Sequence, residues 1–424
     1  MTQADLAARW PDVVRVPKAR LRAAVTRKLL MAATNRLPIR VELHDRGGIV
    51  LKGAGGPADP LMRVLRPEDF FARVATGGLI GIGEAYLAGD WEPGPSTTGQ
   101  RDGLVDVLTV YAAELPRLIP QRLQKLRRFA VRRQPHAERN TPDGARSNIS
   151  RHYDLSNDMF ETFLDETLTY SAAMFDPAKL APAWADLPAA QGRKIERLLD
   201  ACRVGSGSRV LEIGTGWGEL ALRAARRGAT VHSITLSEEQ LKLARERVAE
   251  AGFADAVTIE LCDYRMVEGE YDAVLSVEMI EAVGEQYWPV YFGKLSDVLA
   301  PGGRVGLQAI TMPHDRMVAS RTTYTWIHKY VFPGGLIPSV RAIREAGAAV
   351  GLAVVDDVAF ADGYAETLRL WRERFNDRAD DVARLGFDPL FRRMWNFYLA
   401  YSEAGFRSRY LDVHQFVLTA GAGR

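Results

Sequence analysis

The stretch "RVLEIGTGWGE", residues 209–219, constrains the fold more than any other. A short apolar run ends in three closely spaced glycines and passes at once into the helical pattern "ELALRAARRG". The alternation then repeats. "TVHSITLS" (230–237) reads as a strand, "EEQLKLARERVAEAG" (238–252) as a helix, and "VTIELCD", "YDAVLSVEM" and "GGRVGLQAI" as further strands. Strands alternating with helices predict an α/β fold with a doubly wound, Rossmann-like parallel sheet. Ligands in such sheets sit beyond the carboxyl ends of the strands.

The loop itself reads E-x-G-x-G-x-G, with Glu212, Gly214, Gly216 and Gly218. Glycines there let the backbone turn sharply and approach a ligand closely. The dinucleotide pattern G-x-G-x-x-G fails, because Glu219 and Ala221 stand where its last glycine would fall. An acid at the strand end repels phosphate and suits a cationic, phosphate-free ligand. S-adenosylmethionine is such a ligand. Asp263 ends the third strand, where an acid accepts from an adenine amino group, and Thr235 and Gln240 follow the second strand, near a ribose or methionine tail. No Walker lysine supports a nucleotide-phosphate reading. The expected class is therefore a class I methyltransferase with a smaller N-terminal α+β domain.

A chain of 424 residues calls for two or three domains. We expect an N-terminal domain over 1–133, a linker over 134–147 ("QPHAERNTPDGARS") and the methyltransferase domain over 148–424. In the first part "IRVELHD" and "GIVLKG" alternate as strands do. "PEDFFARVATGGLIGIGEAYLAGDWEP" reads as two helices around a glycine turn, and residues 103–133 as a helical region broken by Pro116 and Pro120. Residues 1–146 carry 24 Lys and Arg against 15 Asp and Glu, whereas 147–424 carry 31 against 38. The basic excess peaks in "RLIPQRLQKLRRFAVRR" (117–133), which holds seven basic residues and no acid. Leu123, Leu126, Phe129 and Ala130 share one face there, as in a helix lying on an anionic membrane surface; a solvated helix docked on its own domain fits the pattern equally. No nucleic-acid motif accompanies the charge. Two cysteines, Cys202 and Cys262, make no disulfide framework. No apolar run is long enough to span a bilayer, the N-terminus lacks a signal-peptide core, and no metal site is expected. These features predict a cytoplasmic protein, peripheral on the inner face of the membrane.

Several blocks together resemble the cyclopropane-fatty-acyl-phospholipid synthases and mycolic acid cyclopropane synthases: "RHYDLSNDMF", "TLTYSAAMF", "VLEIGTGWGE", "TLSEEQ", "CDYR", "SVEMIEAVG", "KYVFPGGLIPS" and "YLAYSEAGFRSR". "GLIGIGEAYLAGDW" resembles the N-terminal domain of the phospholipid-acting members. The resemblance implies an enzyme that methylates the cis double bond of an unsaturated phospholipid acyl chain through a carbocation. It implies cofactor contacts from Tyr170, Ser171, the 212–218 loop with Thr215, Thr235 with Leu236, Gln240, and Asp263 with Tyr264. It places Tyr153, Glu281, Gln308, Ile310 and Tyr364 around the reacting centre. The N-terminal domain is expected to present lipid and support a homodimer, and "TWIHKYVFPGGLIPS" and "LFRRMWNFYLAY" to line an acyl channel.

The family's base is a bicarbonate held by a glutamate, a histidine, a tyrosine and backbone amides beside a cysteine. Here the glutamate and tyrosine are Glu281 and Tyr364, but the cysteine position is Ala172 and the histidine position Gln308. Ala282 replaces a further histidine and Ser402 a further cysteine. The altered shell favours relatives that leave a 10-methylene chain, which a separate reductase converts to 10-methyl. Ring closure to a cyclopropane is the alternative.

Overall fold

The computed structural model describes residues 3–97, 102–118, 156–179 and 181–421. The basic segment beyond residue 118, the linker 134–147 and Tyr153 lie outside the described residues. The chain divides into two compact units, and the division does not follow chain order. The first comprises Met1–Arg133, Thr322–Val331 and Phe375–Tyr410, and the second the remainder. Two segments expected within 148–424 thus group with the N-terminal unit, among them the proposed channel helix of "LFRRMWNFYLAY".

In the first unit a four-stranded sheet has the order β2-β1-β3-β4, with β1 Arg40–Asp45, β2 Gly48–Lys52, β3 Leu61–Val64 and β4 Trp91–Pro93. β1 buries Val41 and Leu43 on one face, the alternation expected of a half-covered strand. β3 and β4 have four and three residues, too short to show a period in sequence. Helices Pro67–Gly77 and Leu79–Ala88 meet at Gly78, whose φ of +57° makes the turn. The helix Gly103–Leu118 continues past Pro116, where a break was expected. The helix Pro389–Arg407 packs its aromatic face here, with Phe397 4.8 Å from Trp326 and 5.1 Å from Tyr86 between ring centres.

The second unit is built on a seven-stranded sheet of order β10-β11-β9-β8-β5-β6-β7. Its strands are β5 Arg209–Ile213, β6 Thr230–Thr235, β7 Val257–Leu261, β8 Tyr271–Val277, β9 Leu299–Thr311, β10 Leu352–Ala359 and β11 Asp412–Ala420. β11 runs antiparallel to both β9 and β10; the other pairings among β5–β9 are parallel. The five strands read from sequence are present. β10 and β11 escaped that reading, because β10 leaves most of its side chains at least partly exposed and lacks a clean apolar run.

Neighbouring residues of β5 enter opposite cores: Val210 packs with Leu198, Leu220 and Leu275, and Leu211 with Tyr291, Leu307 and Phe416. Both faces are therefore covered, as a parallel sheet requires. Each fully buried Leu or Val contributes about 1.5–3 kcal/mol. That rigid layer aims the carboxyl ends of β5, β6 and β8 at one place.

Candidate active site

A cleft of about 980 Å³, open to solvent, lies at those strand ends. The 212–218 loop forms its floor. Gly214 has φ +98°, and a Cβ there would stand 2.7 Å from Met279 Cγ, so the position needs glycine. Gly214 and Thr215 donate their N–H groups to the Ile234 carbonyl at 3.0 and 3.1 Å, tying the loop to β6. Gly218, at φ +89°, precedes the helix Glu219–Arg226; unlike Gly214 and Gly216 it does not line the cleft.

Glu212 is buried opposite Ser233 in the β5–β6 register. The Ser233 hydroxyl donates to Glu212 Oε2 at 2.5 Å and lies 2.8 Å from Thr215 Oγ1. Burial pushes the Glu212 carboxyl up to about 8, and the Ser233 bond opposes that rise. A cationic ligand in the cleft would draw it back to the carboxylate. Thr235, Leu236 and Gln240 line the same cleft, and Thr235 Oγ1 donates to Gln240 Oε1 at 2.9 Å. Tyr264 also lines it. Asp263 does not; its carboxylate is held by the Arg265 guanidinium at 2.7 and 2.8 Å and accepts from the Arg265 N–H.

Tyr170 and Trp217 line the cleft and are backed by further aromatic rings. Tyr170 packs on Phe160 (5.2 Å) and Trp371 (5.3 Å), and Phe160 on Trp217 (5.0 Å). Tyr364 meets Trp371 edge-on at 6.3 Å and 90°. Beside Tyr170, Ser171 Oγ accepts from Lys194 Nζ at 2.6 Å. Lys194 is buried, and burial lowers its ammonium to about 8. In the helix that begins here, Asn157–Glu161, Ser156 makes no capping bond; Asn157 instead accepts from Trp217 Nε1 at 2.8 Å.

The residues expected around the reacting carbons meet at a group that the sequence reading passed over. Tyr364 Oη donates to Glu278 Oε2 at 2.8 Å, and not to Glu281. Gln308 Nε2 and the Ala172 N–H both donate to Glu278 Oε1 at 2.9 Å. Glu281 Oε1 accepts the Ile310 N–H, while its Oε2 is buried without a partner. Burial, and next the neighbouring Glu278, push Glu281 up to about 8. Glu278 follows the last residue of β8, at the strand end where this fold places ligand groups; that position was the available signal. Lys194 was also missed. Its signal is a polar residue inside the buried stripe Ala190, Gln191, Lys194, Ile195 and Leu198 of one helix.

The strand order with a reversed β11, together with the acid-led glycine loop, defines a class I S-adenosylmethionine-dependent methyltransferase. A family model described as mycolic acid cyclopropane synthetase matches residues 140–416. The tuberculostearic acid methyltransferase UfaA1 of Mycobacterium tuberculosis is 53% identical over 97% of this chain and 95% of its own length. The cyclopropane-fatty-acyl-phospholipid synthase of Escherichia coli is 33% identical over 90% and 92%. Among solved structures, the mycolic acid cyclopropane synthase CmaA1, complexed with SAH and CTAB, superposes with a TM-score of 0.59 at 27% identity, covering 67% of this chain and 98% of that one. The chain belongs to the mycolic acid cyclopropane synthetase family.

Proposed function

We propose that this enzyme transfers a methyl group to the cis double bond of an oleoyl-type phospholipid chain and leaves a 10-methylene chain, which a partner reductase converts to 10-methyl. The observation that carries this reading is the similarity to a tuberculostearic acid methyltransferase along nearly the whole chain. The Ala172 and Gln308 substitutions in the base shell support it.

The residues of the cleft suit S-adenosylmethionine: a buried acid without a phosphate cradle, a glycine at Gly214 that a Cβ would crowd, and an aromatic wall. Glu212, Gly214, Thr215, Gly216, Thr235, Leu236, Gln240 and Tyr264 would hold it with Tyr170 and Ser171; Gly218 orients the loop from behind, and Asp263 acts through its neighbours. When bound, the cofactor supplies an electrophilic methyl group. The protein's part is to exclude water and to stabilise positive charge on the lipid. Aromatic faces do the latter, and we assign that role to Tyr364, Trp371 and Tyr153; the contacts of Trp371 with Tyr364 and with the cleft-lining Tyr170 support it. Glu281, Gln308, and the backbone N–H groups of Ile310 and Ala172 would set the polar edge of the same site; the bonds of Gln308 and Ala172 to the cleft-lining Glu278 support this.

Among the described residues no helix is long and apolar enough to cross a membrane. We propose peripheral attachment at the inner membrane face through the basic segment 117–133, and a homodimer supported by the N-terminal unit. The test is mass spectrometry of fatty acids from cells making this chain with oleate. A product 14 mass units heavier, reducible when the reductase is added, supports the methylene route. An irreducible product of that mass would assign a cyclopropane synthase instead.

A further inference from the structure

We propose that Glu278 is the general base of the reaction, a carboxylate built into the chain at the place where a bound anion was expected. This rests on the lipid-methylation reading above and names the group that completes it. Glu278 lines the cofactor cleft. Its backbone is left-handed, φ +52°, a conformation that a non-glycine residue rarely adopts and that clusters at functional sites. Its N–H donates to the Gln308 carbonyl at 2.8 Å, which fixes the turn and the side chain that leaves it.

Three donors from three separate segments converge on the carboxylate: the Ala172 N–H and Gln308 Nε2 on Oε1, and Tyr364 Oη on Oε2. Two of them are themselves oriented. Gln308 Oε1 accepts from Gln415 Nε2 at 3.0 Å, and Gln415 Oε1 accepts from Arg197 at 2.8 Å, so the Gln308 amide presents its NH₂ to Glu278. Ala172 follows Ser171, which Lys194 holds. A carboxylate has about four acceptor sites. Three are used, and one remains for an incoming proton.

Two half-buried carboxyls three residues apart resist ionising together, because like charges at short range disfavour it. Hydrogen bonds assign the charge. Glu278 accepts three and faces the Lys194 ammonium, whereas Glu281 accepts one. Burial raises Glu278 above the ordinary carboxylate range, and the donors and Lys194 pull against it. Of the two, Glu278 is the better held as a carboxylate, by three donors against one, while its burial keeps it basic, and such a division between neighbouring carboxyls is what acid/base catalysis uses. The tyrosine, the residue-308 side chain and the residue-172 amide expected to hold a bicarbonate are already engaged by Glu278.

The step balances without another reactant. The alkene π pair forms the new C–C bond as the S–C bond of the sulfonium breaks, its pair remaining on sulfur. A hydride crosses to the adjacent chain carbon. A C–H bond of the new methyl then breaks, its pair closes the exocyclic alkene, and the proton goes to Glu278.

The test uses the full chain, S-adenosylmethionine and dioleoyl phosphatidylglycerol vesicles, in buffer stripped of carbon dioxide, with and without added bicarbonate. Wild-type turnover is expected to be the same in both. Glu278→Gln should lower turnover by about 100-fold or more, with the calorimetric Kd for cofactor unchanged. Glu278→Gly should regain turnover with added formate or bicarbonate, a rescue that a merely structural role would not give. Wild-type turnover that needs bicarbonate overturns the proposal, and that comparison requires no folded variant. Retained turnover in Glu278→Gln, with loss in Glu281→Gln, overturns it in favour of Glu281. A wild type that methylates no oleoyl lipid sinks the substrate reading, and the base assignment falls with it.

Discussion

Glu212 and Glu278 stand near the ends of two adjacent parallel strands, the first buried and the second half-buried, and desolvation raises both. They differ in how they are held. Glu212 belongs to a contiguous motif and accepts from one neighbouring hydroxyl. Glu278 is held by residues that lie 106, 30 and 86 positions away along the chain. The first arrangement leaves charge to be met by a ligand. The second supplies three donors of its own to the carboxylate. On the roles proposed above, one fold would make a binding acid and a reacting acid by changing only the donors around them.

The contrast can be broken most severely at the cradle. Gly214→Val puts a branched side chain at φ +98° against Met279, and calorimetry should detect no cofactor binding while circular dichroism shows an intact fold. Next, Glu212→Gln removes the charge meant for a cationic ligand. A charge-assisted bond is worth about 1.5–3 kcal/mol, so the cofactor Kd should rise roughly 10- to 100-fold; a changed ratio of lipid products would contradict its assignment to binding alone.

The reacting side should respond in kcat and in pH. Tyr364→Phe deletes one donor to Glu278 and should lower kcat by about tenfold with KM for cofactor unaltered. Glu281 is raised from 4.5 to about 8 in the folded protein. Its share of stability is therefore complete below pH 4.5 and is lost as pH rises through 8, at about 1.4 kcal/mol per unit in between. Glu281→Gln should flatten the fall in Tm between pH 5 and 9, and an unchanged slope would show that its carboxyl is not raised. The smallest effect is expected from Gln415→Leu, which frees the Gln308 amide and should cost a few-fold in kcat.

The same contrast explains what could be read from the sequence. The cradle is local: Glu212 to Gly218 needs only a strand, a tight loop and a helix, and seven residues in a row announce them. Thr235 likewise ends a readable strand, and Gln240 follows it. The Glu278 cluster is not local. Tyr364 and Glu281 are visible as residue types, but the partner of Tyr364 is decided by packing of β8, β9 and the helix Ala361–Asp377. Gln308 looked like a lost histidine; in the structure it is a donor matched to a carboxylate. The unit boundaries were hidden for a related reason. Within residues 375–410, "LFRRMWNFYLAY" shows aromatics at helical spacing, and only packing assigns the segment to the first unit.

β11 is the last strand in chain order, yet it inserts between β9 and β10. The residue that pins Gln308 is 107 positions further along the chain, and contacts of such separation form late because loop closure must come first. During synthesis, β5 to β9 can emerge from the ribosome and shape the cofactor cradle before β11 arrives. A nascent or refolding chain should therefore gain ligand affinity before it gains turnover. In a refolding time course, recovery of cofactor binding should precede recovery of lipid methylation.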